Sequence, residues 1–223
     1  MRHLTPLEAR VLGVLIEKQA TVPDTYPLSL NAIVAGCNQK TARQPVIEAT
    51  EAEVLTAADG LKSLSLVFEG SSSRVVKFEH NTARGLQVPS QAVALLAALL
   101  LRGPQTAAEL RLNCERLYRF ADNSSVEGFL DELANKAVPM TVKLVRVPGA
   151  RESRWAQLLC GDRGLTAAPP GEGFDDAVSV GELTALKAEQ TRMAVELDVL
   201  KALVQRMARE LGMVETSEAG DAV

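Results

Sequence analysis

Apolar residues recur at helical spacing in two stretches of similar design. In "LTPLEARVLGVLIEK", Val11, Leu12, Leu15 and Ile16 mark one helical face, with Thr5 as N-cap, Pro6 at the first helical position and Glu8 closing a capping box. "VPSQAVALLAALLLRGP" repeats the pattern, with Ser90 as cap, Leu95, Leu96, Leu99 and Leu100 as the face, and Gly103-Pro104 as the stop. Leu12 corresponds to Leu96, an offset of 84. Further on, "TEAEVLTAADGLKSL" spaces Val54, Ala58 and Leu61 behind a Thr50/Glu53 capping box. "DNSSVEGFLDELANKA" spaces Val126, Leu130 and Leu133 in the same way, at an offset of 72. A short middle helix is predicted inside each pair, in "LSLNAIVAG" and in "TAAELRLNCERLY", the latter opened by Thr106 and Glu109. Each last helix is followed by a strand, a tight turn and a strand: "LVFEGSSSRVVKFEH" and "VKLVRVPGARESRWAQLL".

Helix, helix, helix, hairpin, occurring twice, is the order of a winged helix. The fold class predicted is α+β: two tandem winged-helix domains followed by a C-terminal coiled-coil helix. The boundaries expected are 1–86 and 87–160 for the two domains, 161–179 for a flexible linker, 180–212 for the coil and 213–223 for a disordered tail. The offset falls from 84 to 72, so the first copy carries 12 residues beyond the second between its first and third helices. They are expected in "TVPDTYP" and "NQKTARQPV".

After the Gly-, Pro- and Asp-rich "GDRGLTAAPPGEGFDDAVS" comes a different period. Leu183, Leu186, Gln190, Met193, Leu197, Leu200, Val204, Met207 and Leu211 alternate by three and four, a heptad seam with a at 183 and d at 186. Glu182 to Lys187 and Glu196 to Lys201 suit a parallel two-stranded coil, so these residues are the dimerisation candidates. The alternative is one amphipathic helix folding back on its own domains.

Composition narrows the function classes. The net charge of −4 is unevenly placed: residues 1–86 hold 9 Lys+Arg against 9 Asp+Glu, residues 87–163 hold 10 against 8, and residues 164–223 hold 5 against 11. Acidity therefore belongs to the tail. No apolar run reaches bilayer length, and "MRHLTPLEAR" lacks a signal-peptide pattern. Cys37, Cys114 and Cys160 are odd in number and far apart, which favours reduced thiols in the cytoplasm. With His3 and His80 the only histidines, no catalytic or metal-binding constellation is predicted, and no cofactor. An enzyme is not expected.

"LTPLEARVLGVLIEKQ", "YPLSLNAIVAGCNQKT", Arg43-Gln44-Pro45-Val46, "LLLRGPQTAAELR" and "PGARESRW" together resemble the bacterial YceH family, from about residue 4 to 160. The resemblance implies a tandem winged-helix fold of unestablished biochemical function, and it supplies no catalytic residue. Where the family pattern has Asn-Arg-Glu, this chain has Ala42-Arg43-Gln44.

A winged helix usually lays its third helix in the major groove. Here those helices carry Glu51, Glu53 and Asp59 against Lys62, and Glu127, Asp131 and Glu132 against Lys136, which disfavours groove reading. The wings are richer in cations: Arg74 and Lys77 in the first, Lys143, Arg146, Arg151 and Arg154 in the second. Arg111, Arg116 and Arg119 add charge to the second middle helix. These residues suit phosphate contacts without sequence information, or they are solvated and internally paired, for instance with Glu152. Lys40 and Arg43 in "CNQKTARQPV" either hold an anion, brace the loop, or meet a partner. Two partners remain open: DNA through the wings, or a protein chain, as in the condensin-associated ScpB type of tandem winged helix.

Overall fold

The computed structural model describes residues 2–70, 75–146, 149–162 and 201. The chain divides into two units, 1–167 and 168–223, and the architecture below is that of the first. The heptad residues 183–211 named above lie outside the described residues, as does Arg74.

The first unit is α+β. Helix α1 (Pro6–Thr21) leads through a 3-10 turn (Pro23–Thr25) and strand β1 (Leu28–Ser29) into α2 (Leu30–Cys37) and α3 (Glu51–Ser63). Strands β2 (Val67–Gly70) and β3 (Lys77–His80) follow, then a single turn, α4 (Thr82–Gly85). The second half runs α5 (Ser90–Arg102), α6 (Ala107–Asn113), α7 (Asn123–Ala134), β4 (Thr141–Lys143) and β5 (Trp155–Gln157). Both sheets are antiparallel. The first has the order β1-β3-β2, and in the second β4 pairs with β5.

Local chemistry accounts for the helix starts. Thr5 accepts from the Glu8 N–H at 3.2 Å while the Glu8 carboxylate accepts from the Thr5 N–H at 2.7 Å. The same reciprocal box opens α3 through Thr50 and Glu53, and α6 through Thr106 and Glu109. Helix α5 departs from expectation: its N-cap is Pro89, and Ser90 is the first helical residue. The order of cap and proline is reversed relative to Thr5-Pro6, so the serine falls one position too late to accept from the first turn. Gly103 ends α5 at φ 76°, a conformation that favours glycine.

A further offset ties the halves together. Ser29 and Thr106, Cys37 and Cys114, Leu28 and Gln105, and Phe78 and Trp155 are each 77 apart. Ser29 and Thr106 cap α2 and α6. Both cysteines are fully buried, and Phe78 and Trp155 are 1% exposed. Leu28 pairs with Phe78 in the first sheet, and Gln105 forms an isolated antiparallel bridge with Trp155 in the second. Each hairpin is thus met by the connector between the first two helices of its half, as the two-residue strand β1 in the first and as a single bridge residue, Gln105, in the second. The hydrophobic spacing carries no sign of that strand, because two residues have no period.

The twelve extra residues of the first half are not all in connectors. Helix α1 has 16 residues against 13 in α5, and α2 has 8 against 7 in α6. The remainder lengthens the α1–α2 and α2–α3 connections. The second half in turn has the longer hairpin connection, 144–154 against 71–76.

One apolar cluster runs through α1, α3 and the first sheet into α5, while a second holds α5, α6 and α7 together. Leu12, Leu15 and Leu96 in the first cluster and Leu95 and Leu99 in the second are each at most 1% exposed. Each such burial contributes about 2 kcal/mol. Helices α1 and α5 pack directly, and a Cβ built on Gly13 would lie 2.9 Å from Leu101 Cγ and Cδ2, so a glycine there lets the two approach.

Candidate nucleic-acid interface

The polar segment 37–46 folds inward as a clasp. The Arg43 side chain is fully buried (0% exposed) and clamps Glu17 of α1 from two nitrogens, at 2.6 and 3.1 Å. Its Nε donates to the Gly36 carbonyl at 3.0 Å and its Nη1 to that of Ala42 at 2.9 Å. Burial pushes the Glu17 carboxyl up, but the Arg43 hydrogen bonds and charge, helped by Lys18, hold it below its ordinary value. Arg10, also buried, donates to the carbonyls of Cys37 at 3.0 Å and Pro45 at 2.5 Å. Burial and the nearby Arg43 charge lower the Arg10 pKa. Asn38 exchanges two hydrogen bonds with the Ala49 backbone, at 2.8 and 2.9 Å. The Gln44 N–H donates to Leu101 O at 2.8 Å and so reaches the end of α5.

Arg43 is therefore turned away from solvent and drops out of the contact set. Its carboxylate partner is Glu17, on another helix 26 residues away, rather than a neighbour in the loop. Lys40 remains on the surface of the same segment. Sequence reasoning missed Arg10 and Glu17. Their spacing of seven, two helical turns on the face that also carries Val14, was the available signal.

The hairpins divide their cations. Lys143 on β4 lies 3.2 Å from Glu127 of α7 and 5.3 Å from the centre of the Trp155 ring. Arg154 donates to Pro104 O at 2.9 Å and to Glu109 at 3.1 Å. The internal pair expected with Glu152 is thus made with Glu109, across to α6. Arg146 and Arg151 are exposed and make no hydrogen bond or ion pair among the described residues. Beside them Val145 is 94% exposed. Lys77 of β3 is half-buried, in register with Gly70 and Ser29.

The turn between α6 and α7 carries Arg116 and Arg119, both exposed, with Arg119 3.6 Å from Glu115. On α3 and α7, Glu51, Glu53, Asp59, Asp131 and Glu132 all face solvent. Burial pushes the Cys37 thiol up to about 11 and that of Cys114 up to about 12, and it also raises that of the half-buried Cys160. Among the described residues no group of three His, Cys, Asp or Glu converges as a metal site, and no helix is long and apolar enough to cross a membrane.

Residues 4–150 match the family described as "Protein of unknown function, DUF480". The chain belongs to this family. A UPF0502 protein of Burkholderia pseudomallei (strain K96243) is 68% identical over 213 residues, covering 96% of this chain and 91% of the relative. A UPF0502 protein of Burkholderia vietnamiensis (strain G4 / LMG 22486) is 64% identical over 224 residues, covering 100% of this chain and 94% of the relative. A third, from Burkholderia ambifaria (strain MC40-6), is 64% identical over 223 residues, covering 99% and 94%. The matched span of the DUF480 family takes in both helix-helix-helix-hairpin halves up to the tip of the second hairpin.

Proposed function

We propose that this DUF480 protein is a non-enzymatic, cytoplasmic tandem winged-helix protein that grips DNA by its backbone phosphates, led by the wing of its second half. The observation that carries this reading is the division of labour in that wing. Lys143 and Arg154 are tied to α7 and α6 and fix its base, while Arg146 and Arg151 stand free at its far end. Exposed guanidiniums on a positioned hairpin contact phosphate without reading bases. The carboxylates facing solvent on α3 and α7 repel the backbone and disfavour seating either helix in the major groove. Dimerisation through the heptad at 183–211 would multiply weak contacts by avidity.

The test is fluorescence anisotropy with a labelled random-sequence duplex at low salt, using the full chain. The Arg146→Ala/Arg151→Ala double variant is expected to bind about tenfold or more weakly, the worth of one to two charge-assisted contacts. Wild-type affinity in that variant, or no binding by the unaltered chain, contradicts the reading.

One observation favours a second reading. Leu55 is exposed on α3 between Glu51 and Asp59, and Val145 is exposed on the second hairpin, so apolar groups sit where a protein chain could cover them. In that reading the halves bind a partner chain, as in the ScpB type, and binding survives high salt better than a phosphate grip.

A further inference from the structure

We infer that the far end of the second hairpin enters the minor groove of A·T-rich duplex DNA, with Arg146 and Arg151 as donors to the base edges, a role that rests on the proposed DNA grip. From Val145 to Arg151, arginine is the only residue with a hydrogen-bonding side chain, so this end offers donors and no side-chain acceptor. Both arginines are exposed, and Val145 beside them is 94% exposed. Gly149 and Ala150, also exposed, extend no farther than a Cβ and keep the end slim. Glu152, the only carboxylate of the 144–154 connection, follows Arg151 on the side of β5. The base is fastened: Lys143, in register with Trp155, meets Glu127, the Leu144 N–H donates to Arg154 O at 2.8 Å, and Arg154 itself is bonded to Pro104 O and Glu109.

The chemistry of this end selects the groove. In the minor groove an A·T pair shows only acceptors, adenine N3 and thymine O2, whereas a G·C pair adds the guanine N2 amine, a donor. A donor-only end matches the first and is opposed by the second. The major groove mixes donors with acceptors and is about 12 Å wide, a space for a helix or for amide-bearing strands. The minor groove is about 6 Å wide, A·T tracts narrow it further, and the deepened negative potential there draws arginine. Its walls are deoxyribose carbons, an apolar surface against which Val145 can lie. The first half lacks this donor-only pattern, because its shorter connection 71–76 contains Ser71, Ser72 and Ser73, whose hydroxyls also accept.

The experiment measures anisotropy of three labelled duplexes of equal length, alternating dA-dT, dG-dC and dI-dC, with the full chain at one low salt concentration. An I·C pair keeps the acceptors and donor of G·C in the major groove but lacks the N2 amine, so its minor groove presents the A·T pattern. The dA-dT and dI-dC duplexes are expected to bind about tenfold more tightly than dG-dC, the discrimination of one base-edge contact. The minor-groove ligand netropsin should displace the chain from dA-dT. The residual binding of the Arg146→Ala/Arg151→Ala variant, whose altered side chains are exposed and carry no packing, should show no preference among the three. Equal affinities in the unaltered chain, or dI-dC binding that follows dG-dC, overturn the inference and leave the phosphate grip standing. A preference that survives in the double variant overturns the assignment to these arginines. No binding to any duplex removes the grip and the inference together.

Discussion

Arg43 shows how much one side chain's role depends on what lies across the fold. Its buried pair with Glu17 predicts that Arg43→Gln, read by urea denaturation, costs about 3 kcal/mol, because Glu17 and the Gly36 carbonyl lose their donors. Adding Glu17→Gln should recover part of that loss, whereas a loss equal to an ordinary surface change would contradict the clasp. His80 sets a pH dependence. Its Nδ1 accepts from the Thr82 N–H and its Nε2 faces Gln19 Oε1 at 2.8 Å, an arrangement for the neutral ring. Burial lowers its pKa from 6.5 to about 4. The unfolded chain therefore takes up the proton first, so this contribution is complete above pH 6.5 and is lost as pH falls toward 4. It amounts to at most about 3 kcal/mol. Urea midpoints at neutral pH and near pH 5 should differ less in His80→Gln than in the unaltered chain, and an identical loss in both would remove His80 as the cause.

At the scale of elements, the helices and hairpins were largely legible because their signals are local. Capping boxes at Thr5, Thr50 and Thr106 stand where the Thr-to-Glu spacing places them. Thr106→Ala is expected to lower stability by about 1 kcal/mol, seen as a shift of the thermal midpoint, since α6 has only 7 residues to hold its first turn. No shift would mean that the packing of Leu110 and Cys114 holds α6 without its cap. What the sequence could not show was interaction at a distance. The connector's contact with each sheet is a pairing between residues 50 apart, Leu28 with Phe78 in strand β1 and Gln105 with Trp155 as an isolated bridge, carried by segments too short to have a period. Among the candidate contacts, Arg146 and Arg151 keep the exposure a contact needs, but Arg154 and Lys143 bond to α6 and α7, and Arg43 to α1. Charge and position along the chain are readable beforehand, while a cation's partner is set by packing.

Over the whole first unit, the two halves are variations on one plan with different investments. The first lengthens its helix connections and fastens the α2–α3 connection to α1 through Arg10 and the Arg43–Glu17 pair, and to the end of α5 through the Gln44 N–H to Leu101 O. The second keeps the short α6–α7 turn, leaves a cleft there, and lengthens its hairpin. On this account the first half acts mainly as a brace and the second presents the contact surface, with Arg146 and Arg151 leading. The most direct test of that claim is the salt dependence of duplex DNA binding by the full chain and by the Arg146→Ala/Arg151→Ala variant. The account predicts a clear negative log–log slope for the unaltered chain and a slope shallower by roughly 2 in the variant, one counterion per lost phosphate contact. Equal slopes, or no binding at low salt, would contradict it and leave the protein-partner reading in its place.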